Sequence, residues 1–232
     1  MTSPDPIVSA RRSARIAGAL YLVVVLAGIF SLAWVPSRLA VSGDALARFA
    51  QLQHEAFVFR AGIAASVVCY LAFLLLPLAL YRLLAAHGRV AAVVMVALAA
   101  ASVPFSFANL LHRLDVVALL EQASRPGADL AVLAAQAQAL LAQYNQGIGL
   151  SEVFWGAWLL PLGMLVYRSG LIPPVLGVLL VIGGCGYLLD FFSGLLVPGY
   201  AGSTLAGYAT RPAALGEIAT CLWLLVAGVR SR

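Results

Sequence analysis

The sequence predicts an all-α fold: a polytopic membrane protein forming a six-transmembrane-helix bundle, with an external amphipathic helix between spans three and four. Three observations carry this prediction. The first is composition: of 232 residues, 63% are hydrophobic and 10% charged, with a mean hydropathy of +0.99, against roughly 45–50% apolar and about 25% charged in soluble domains. The second is the stretch 146–192, where two apolar arms are joined by the turn Tyr167-Arg168-Ser169-Gly170-Leu171-Ile172-Pro173-Pro174. Each arm is about twenty residues long, which at about 1.5 Å per residue matches the roughly 30 Å hydrocarbon core of a bilayer. The third is charge placement. The net charge of +5 comes from fourteen arginines and no lysine, spread mostly between or at the ends of the apolar segments, where they read as topology signals and not as a nucleic-acid patch.

The elements follow as one domain over 1–232. A polar start carrying Arg11, Arg12 and Arg15 precedes an apolar run at 16–35, longer than the roughly 7–15-residue core of a signal peptide and therefore expected to stay as the first span. Pro36 is expected to end it, with Trp34 at the interface. Ser42-Gly43-Asp44 reads as the cap of a short surface helix with Leu46 and Phe49 on one side. The second span is expected at 57–84, bounded by Arg82, His87 and Arg89, and the third at 90–111. Residues 112–145 are expected outside the membrane: Arg125-Pro126-Gly127 breaks the chain, and Leu130, Leu133, Ala137, Leu140 and Tyr144 then recur at helical spacing beside Gln136, Gln138 and Gln143. The fourth and fifth spans, 147–167 and 175–197, flank the turn, where Gly170 can take the left-handed conformation and the two prolines forbid continuation. A sixth span at 213–229 is closed by Arg230 and Arg232. Placing both ends inside collects Arg11, Arg12, Arg15, Arg82, Arg89, Arg168, Arg230 and Arg232 on the cytoplasmic side. Cys69, Cys185 and Cys221 fall in different spans without metal-type spacing and read as small buried hydrophobes.

The stretches Arg15-Ile16-Ala17-Gly18-Ala19-Leu20-Tyr21-Leu22, Phe59-Arg60-Ala61-Gly62-Ile63 and, most specifically, Val166-Tyr167-Arg168-Ser169-Gly170-Leu171-Ile172-Pro173 through Leu176-Gly177-Val178-Leu179-Leu180 to Gly186-Tyr187-Leu188-Leu189-Asp190 resemble a bacterial six-helix membrane family, the domain of unknown function DUF4386. The resemblance covers roughly 15–198. It implies the six-helix architecture and a bacterial inner membrane, and it supplies no activity.

Depth along the helices gathers the intramembrane polar residues in the outer half. Glu152 and Asp190 fall about 9–10 Å below the outer interface; Arg60 and Glu217 lie about one turn in from the same side, and Asn109, His112, Arg113 and Asp115 end the third span there. Helical phase points them inward. Glu152 shares a stripe with Gly149, Gly156 and Gly163, Asp190 shares one with Gly183, Gly186 and Gly194, and Ser102, Ser106, Asn109 and Arg113 step down one side of the third span. Pro77, Pro104 and Pro161 free backbone carbonyls within the membrane. Arg60 and Arg113 could pair with the acids and hold helices in register. Two cations cannot neutralise Asp115, Glu152, Asp190 and Glu217, however, so two carboxylates are expected to be protonated, hydrated or matched by a bound cation.

The functional expectation is an outward-facing polar pocket lined by Arg60, Asn109, His112, Arg113, Glu152, Asp190 and Glu217, which binds or transports a small or lipid-like ligand, with Asp190 as first choice for the key acid. A scaffold whose buried charges only hold helices together is the alternative. An intramembrane enzyme is the third: no His-Glu-x-x-His, paired-His spacing or nucleophile elbow is present. No metal, cofactor or nucleic-acid partner is expected; membrane lipids are.

Overall fold

A computed structural model describes residues 6–206 and 208–230; Arg232, one of the expected cytoplasmic charges, lies outside them. Among the described residues there is no strand. Helix α1 (Pro6–Ile29) runs through a π-helical turn at Phe30–Trp34 into α2 (Val35–Leu39), and α3 (Ala45–His54) is a short helix capped by Asp44. Then come α4 (Ala56–Leu84), α5 (Arg89–Gln122), α6 (Leu130–Ser169), α7 (Pro174–Leu196) and α8 (Arg211–Val226). Among the described residues five stretches are long and apolar enough to cross a membrane: Ala10–Leu39, Ala56–His87, Arg89–Gln122, Leu130–Ser169 and Pro174–Leu196.

The long helices close into a ring. α1 packs on α4, α4 on α5, α5 on α6, α6 on α7, α7 on α8, and α8 back on α1. The outside of that ring is apolar: Leu26, Val90, Val175, Leu195 and Val226 are all more than half exposed, a surface that a soluble monomer does not present and a bilayer covers. At its centre the ring of Trp158 meets those of Phe73 at 5.0 Å and Tyr21 at 6.3 Å.

The hairpin of α6 and α7 is built as its residues predict. Arg168 lies in the last turn of α6, Gly170 has φ of 64°, and Pro174 opens α7. Glycines bring the two backbones together. A Cβ on Gly156 would sit 2.7 Å from the Gly184 carbonyl oxygen, and one on Gly163 would sit 2.6 Å from that of Gly177, the small-residue contact by which membrane helices approach each other. The expected stripe stops there, because a Cβ on Gly149 would meet nothing within 4 Å.

Other expectations are corrected. Pro36 does not end the first helix: it enters the first turn of α2, and the π-turn before it, where the Val35 N–H bonds the Phe30 carbonyl, carries the chain past the carbonyl that the proline ring would strike. The third helix does not stop at 111 but continues to Gln122. The external helix is not a separate element. Asp129 caps a single 40-residue helix, accepting from Ala131 N at 3.0 Å, that runs without a break into the fourth expected span. At about 1.5 Å per residue that is about 60 Å, twice the hydrocarbon thickness. Gly147, which would weaken an isolated helix, stands against the Asn109 side chain so closely that no Cβ would fit. On α3, Phe49 is buried but Leu46 is 45% exposed. Cys185 is exposed on the apolar surface instead of buried. The expected sixth span forms α8, with 16 residues, shorter than the roughly 20 needed for an untilted crossing.

Candidate functional site

The polar seam of α5 faces inward as its phase predicts, with Ser102, Ser106, Asn109 and Arg113 all at most 6% exposed. Its contacts are not with the acids. The Ser102 and Ser106 hydroxyls donate to carbonyls one turn back in their own helix, and Asn109 Nδ2 donates to the Tyr144 carbonyl at 3.0 Å. The Arg113 guanidinium lies between two rings, 4.7 Å from the Phe59 centroid and 5.1 Å from that of Tyr144. Such cation–π contacts contribute from about 0.5–1 kcal/mol at exposed sites to about 2 kcal/mol when desolvated. His112 is half-buried, one residue before Arg113.

Arg60 is paired elsewhere, with Glu121 at 2.8 Å, both side chains at least half exposed. That pair exists because α5 extends beyond its expected end and brings Glu121 beside α4. Among the described residues the remaining ion-pair contacts join Glu55 to Arg38 and His54. Neither expected arginine therefore neutralises Glu152, Asp190 or Glu217.

The acids fall into two groups. Glu152 of α6 and Asp190 of α7 lie within electrostatic range of each other, and the Tyr200 hydroxyl donates to Asp190 Oδ1 at 2.8 Å. Loss of water and that hydrogen bond push the Tyr200 phenol above its ordinary value. Glu217 of α8 accepts from the Tyr21 hydroxyl at 3.0 Å. Tyr187 stands within electrostatic range of both Glu217 and Glu152.

Glu217 borders a cavity of about 200 Å³ inside the helix ring. Tyr70, Phe73, Trp155 and Tyr187 supply much of its wall, and among the described residues no basic side chain lines it. Those of its lining residues that are exposed, Ile29, Leu32, Ala214 and Ile218, all come from α1, the π-turn and α8, so the cavity opens sideways between these elements on the apolar surface. The π-turn itself supplies Ser31 and Leu32 to the wall; π-turns recur where a helix is reshaped at a functional site. Of the seven expected site residues only Glu217 lines this cavity. Among the described residues no group of three or more His, Cys, Asp or Glu could hold a metal ion.

Long apolar helices, a lipid-compatible surface and a half-open interior cavity define a polytopic membrane protein of the helical-bundle class. The chain belongs to the family described as Domain of unknown function (DUF4386), which matches residues 16–228. It is similar to an uncharacterized protein of Archaeoglobus fulgidus, 37% identical over 81 residues, a match spanning 35% of this chain and 46% of that protein. No solved structure matches the chain.

The cavity's aromatic wall was not read from the sequence. A signal was there: Tyr21, Tyr70, Trp155, Trp158 and Tyr187 lie well inside apolar segments, away from the interfaces where Tyr and Trp usually find partners for their polar tips.

Proposed function

We propose that this protein binds or transports a small or lipid-like molecule, in a bacterial cytoplasmic membrane, with six spans and both ends inside. The observation that supports this best is a carboxyl group, Glu217, in an aromatic cavity that opens toward lipid. Scaffolding alone does not require such a space: an unfilled cavity costs stability, and an acid without a cationic partner inside an apolar bundle costs more. In this reading Glu217 is the acid nearest the ligand, and Glu152 and Asp190, reached through Tyr187, are the groups that exchange protons with the outer side. For Arg60, Asn109 and Arg113 the contacts above favour a structural role, and His112 flanks them.

Nile red, a neutral apolar dye, tests the cavity. In lipid nanodiscs the wild type is expected to bind it saturably, above its partition into empty discs. Gly28→Phe, which projects a ring from the cavity wall, is expected to abolish the saturable part while the protein keeps its fold. Equal, non-saturable partition into both proteins would sink the reading. Orientation has its own test: single cysteines labelled in cells by an impermeant reagent at Gly127 but not at Gly88 support it, and the reverse pattern overturns it.

A further inference from the structure

Resting on that reading, we infer that the ligand is an amphiphilic organic cation, an ammonium or quaternary ammonium group carrying an apolar body. Three features of the cavity select this chemistry. The first is charge. Among the described residues Glu217 is its only carboxylic acid and no Arg or His lines it, so an anionic ligand would meet a carboxylate with nothing to offset it, whereas a cation would neutralise a charge that the bundle leaves unpaired. The Tyr21 hydroxyl, at 3.0 Å from Oε1, orients the carboxyl and leaves its second oxygen for the ligand.

The second feature is the wall. Tyr70, Phe73, Trp155 and Tyr187 come from three different helices, and Trp155 meets Tyr187 edge-to-face at 6.2 Å with an interplanar angle of 73°. Aromatic rings gathered around one carboxylate are the recognition chemistry of quaternary ammonium groups, because the ring quadrupole attracts a cation that cannot itself donate a strong hydrogen bond. A neutral polar ligand would want directional donors and acceptors instead. Here the Ser106 and Ser31 hydroxyls are turned to carbonyls of their own helix.

The third feature is the opening. Ile29, Leu32 and Ile218 at the mouth are each more than a third exposed, so an apolar tail can lie out between α1 and α8 while the cationic head sits at Glu217. The volume accommodates a head and a short chain.

Three near-isosteric probes separate charge from shape: trimethyl(4-phenylbutyl)ammonium, its carbon isostere (5,5-dimethylhexyl)benzene, and 4-phenylbutane-1-sulfonate, each competing with Nile red in phosphatidylglycerol nanodiscs, corrected for partition into empty discs. The ammonium is expected to displace the dye at least about tenfold more strongly than the hydrocarbon, with the sulfonate weakest. Glu217→Gln keeps the shape of the side chain and an acceptor for Tyr21; it is expected to lose the preference for the ammonium, read as the ratio of ammonium to hydrocarbon competition on the variant itself. Tyr187→Phe should keep that preference and Tyr187→Leu should weaken it severalfold, since the ring and not the hydroxyl does the attracting. If the hydrocarbon competes as well as the ammonium, or the sulfonate competes better, or Glu217→Gln changes nothing, the cation inference fails while the binding reading stands. If neither dye nor probe binds saturably, the binding reading fails as well. Adding phosphatidylcholine identifies the source: a weakened ammonium titration assigns the site to a choline headgroup, and an unchanged one assigns it to a free amphiphilic amine.

Discussion

The α6–α7 hairpin and the α1–α8 pair are both antiparallel contacts between apolar helices, and they solve the packing problem in opposite ways. In the hairpin, glycine meets glycine at two levels, and neither Gly156 nor Gly163 has room for a Cβ against the facing backbone. In the α1–α8 pair a single glycine closes one end only. A Cβ on Gly18 would lie 2.8 Å from Leu225 N, and Cys221 Sγ points to the Gly18 carbonyl at 3.6 Å. Beyond that point the residues facing one another are Tyr21 and Glu217, and the space between the helices widens into the cavity. Contact by small residues makes a wall, and large aromatics behind a one-sided contact make a chamber. In a bilayer, where hydrophobicity gives no drive to bring helices together, this choice of residue size decides which seams close.

The hairpin is therefore where substitution should hurt most. Gly156→Leu forces a branched side chain into the Gly184 carbonyl and the Tyr187 side chain, and is expected to cost about 3 kcal/mol or more, at or beyond the upper range for overpacking. Gly149→Leu, on the same helix and in open space, is the control, with no loss expected. Thermal unfolding in detergent reads both, and equal stability of the two variants would mean that the hairpin does not pack as described. A step smaller, Gly18→Leu is expected to cost about 1–3 kcal/mol, because it overpacks a contact that a lone glycine makes near the end of α8. Since it pries the closed end apart, it should also raise Nile red access to the chamber; an unchanged dye on-rate would argue that the Gly18 contact does not control the opening.

How much of this was legible follows from the kind of information each feature needs. The hairpin was readable because Arg168, Gly170 and Pro174 act locally, and the inward phase of Ser102, Ser106, Asn109 and Arg113 was readable because period is a local property too. The seven-residue pocket was not readable as one site. Sequence places residues by depth, and here depth itself is off: Arg113 lies beside Phe59 near the start of α4, whereas Glu217 shares its cavity with Tyr70 and Phe73, about three turns further along that helix; depth also says nothing of azimuth around a ring of six helices. Which neighbour an inward residue meets depends on tertiary contacts, so Arg113 found the rings of Phe59 and Tyr144 and not an acid. Helix ends failed for a related reason. Charge usually marks the end of a span, which is why the third is expected to stop at 111, while α5 and α6 support each other beyond the apolar zone and carry charges such as Glu121 on ordered helix. The π-turn was invisible because a proline at the end of an apolar run normally means a stop.

Arg113 sharpens the contrast between closed and open regions. A buried cation whose acid partner is removed typically costs about 3–5 kcal/mol, whereas an ionic side chain replaced by an apolar one of similar size is often nearly neutral. Arg113 already lacks an acid, and its Nε makes no hydrogen bond. Arg113→Met should therefore cost about 1.5 kcal/mol or less, the lost cation–π attraction being offset by the relief of desolvation. A loss above about 3 kcal/mol in thermal or denaturant unfolding would mean that Arg113 holds a counter-charge after all.

Apart from the Gly149→Leu control, the smallest effect on stability is expected at Glu217, and its smallness is what matters. If this acid were kept to pin α8 to the ring, its neutralisation would strand a buried partner charge and cost several kcal/mol. No such partner exists among the described residues: its hydrogen bond comes from the neutral Tyr21 hydroxyl, which the carbonyl oxygen of a glutamine can accept equally well. The side chain also keeps its volume, so no cavity term arises. Glu217→Gln should thus shift stability by about 1 kcal/mol or less, within the range of a single neutral hydrogen bond. The comparison residue is Tyr21: Tyr21→Phe leaves the Glu217 oxygen without its donor and is expected to cost about the same or slightly more. Unfolding of both variants and of the double variant in one detergent closes the cycle. A coupling below about 1 kcal/mol leaves Glu217 free of a fold-holding duty, and a coupling of about 3 kcal/mol would turn the chamber's acid into one more clamp between α1 and α8.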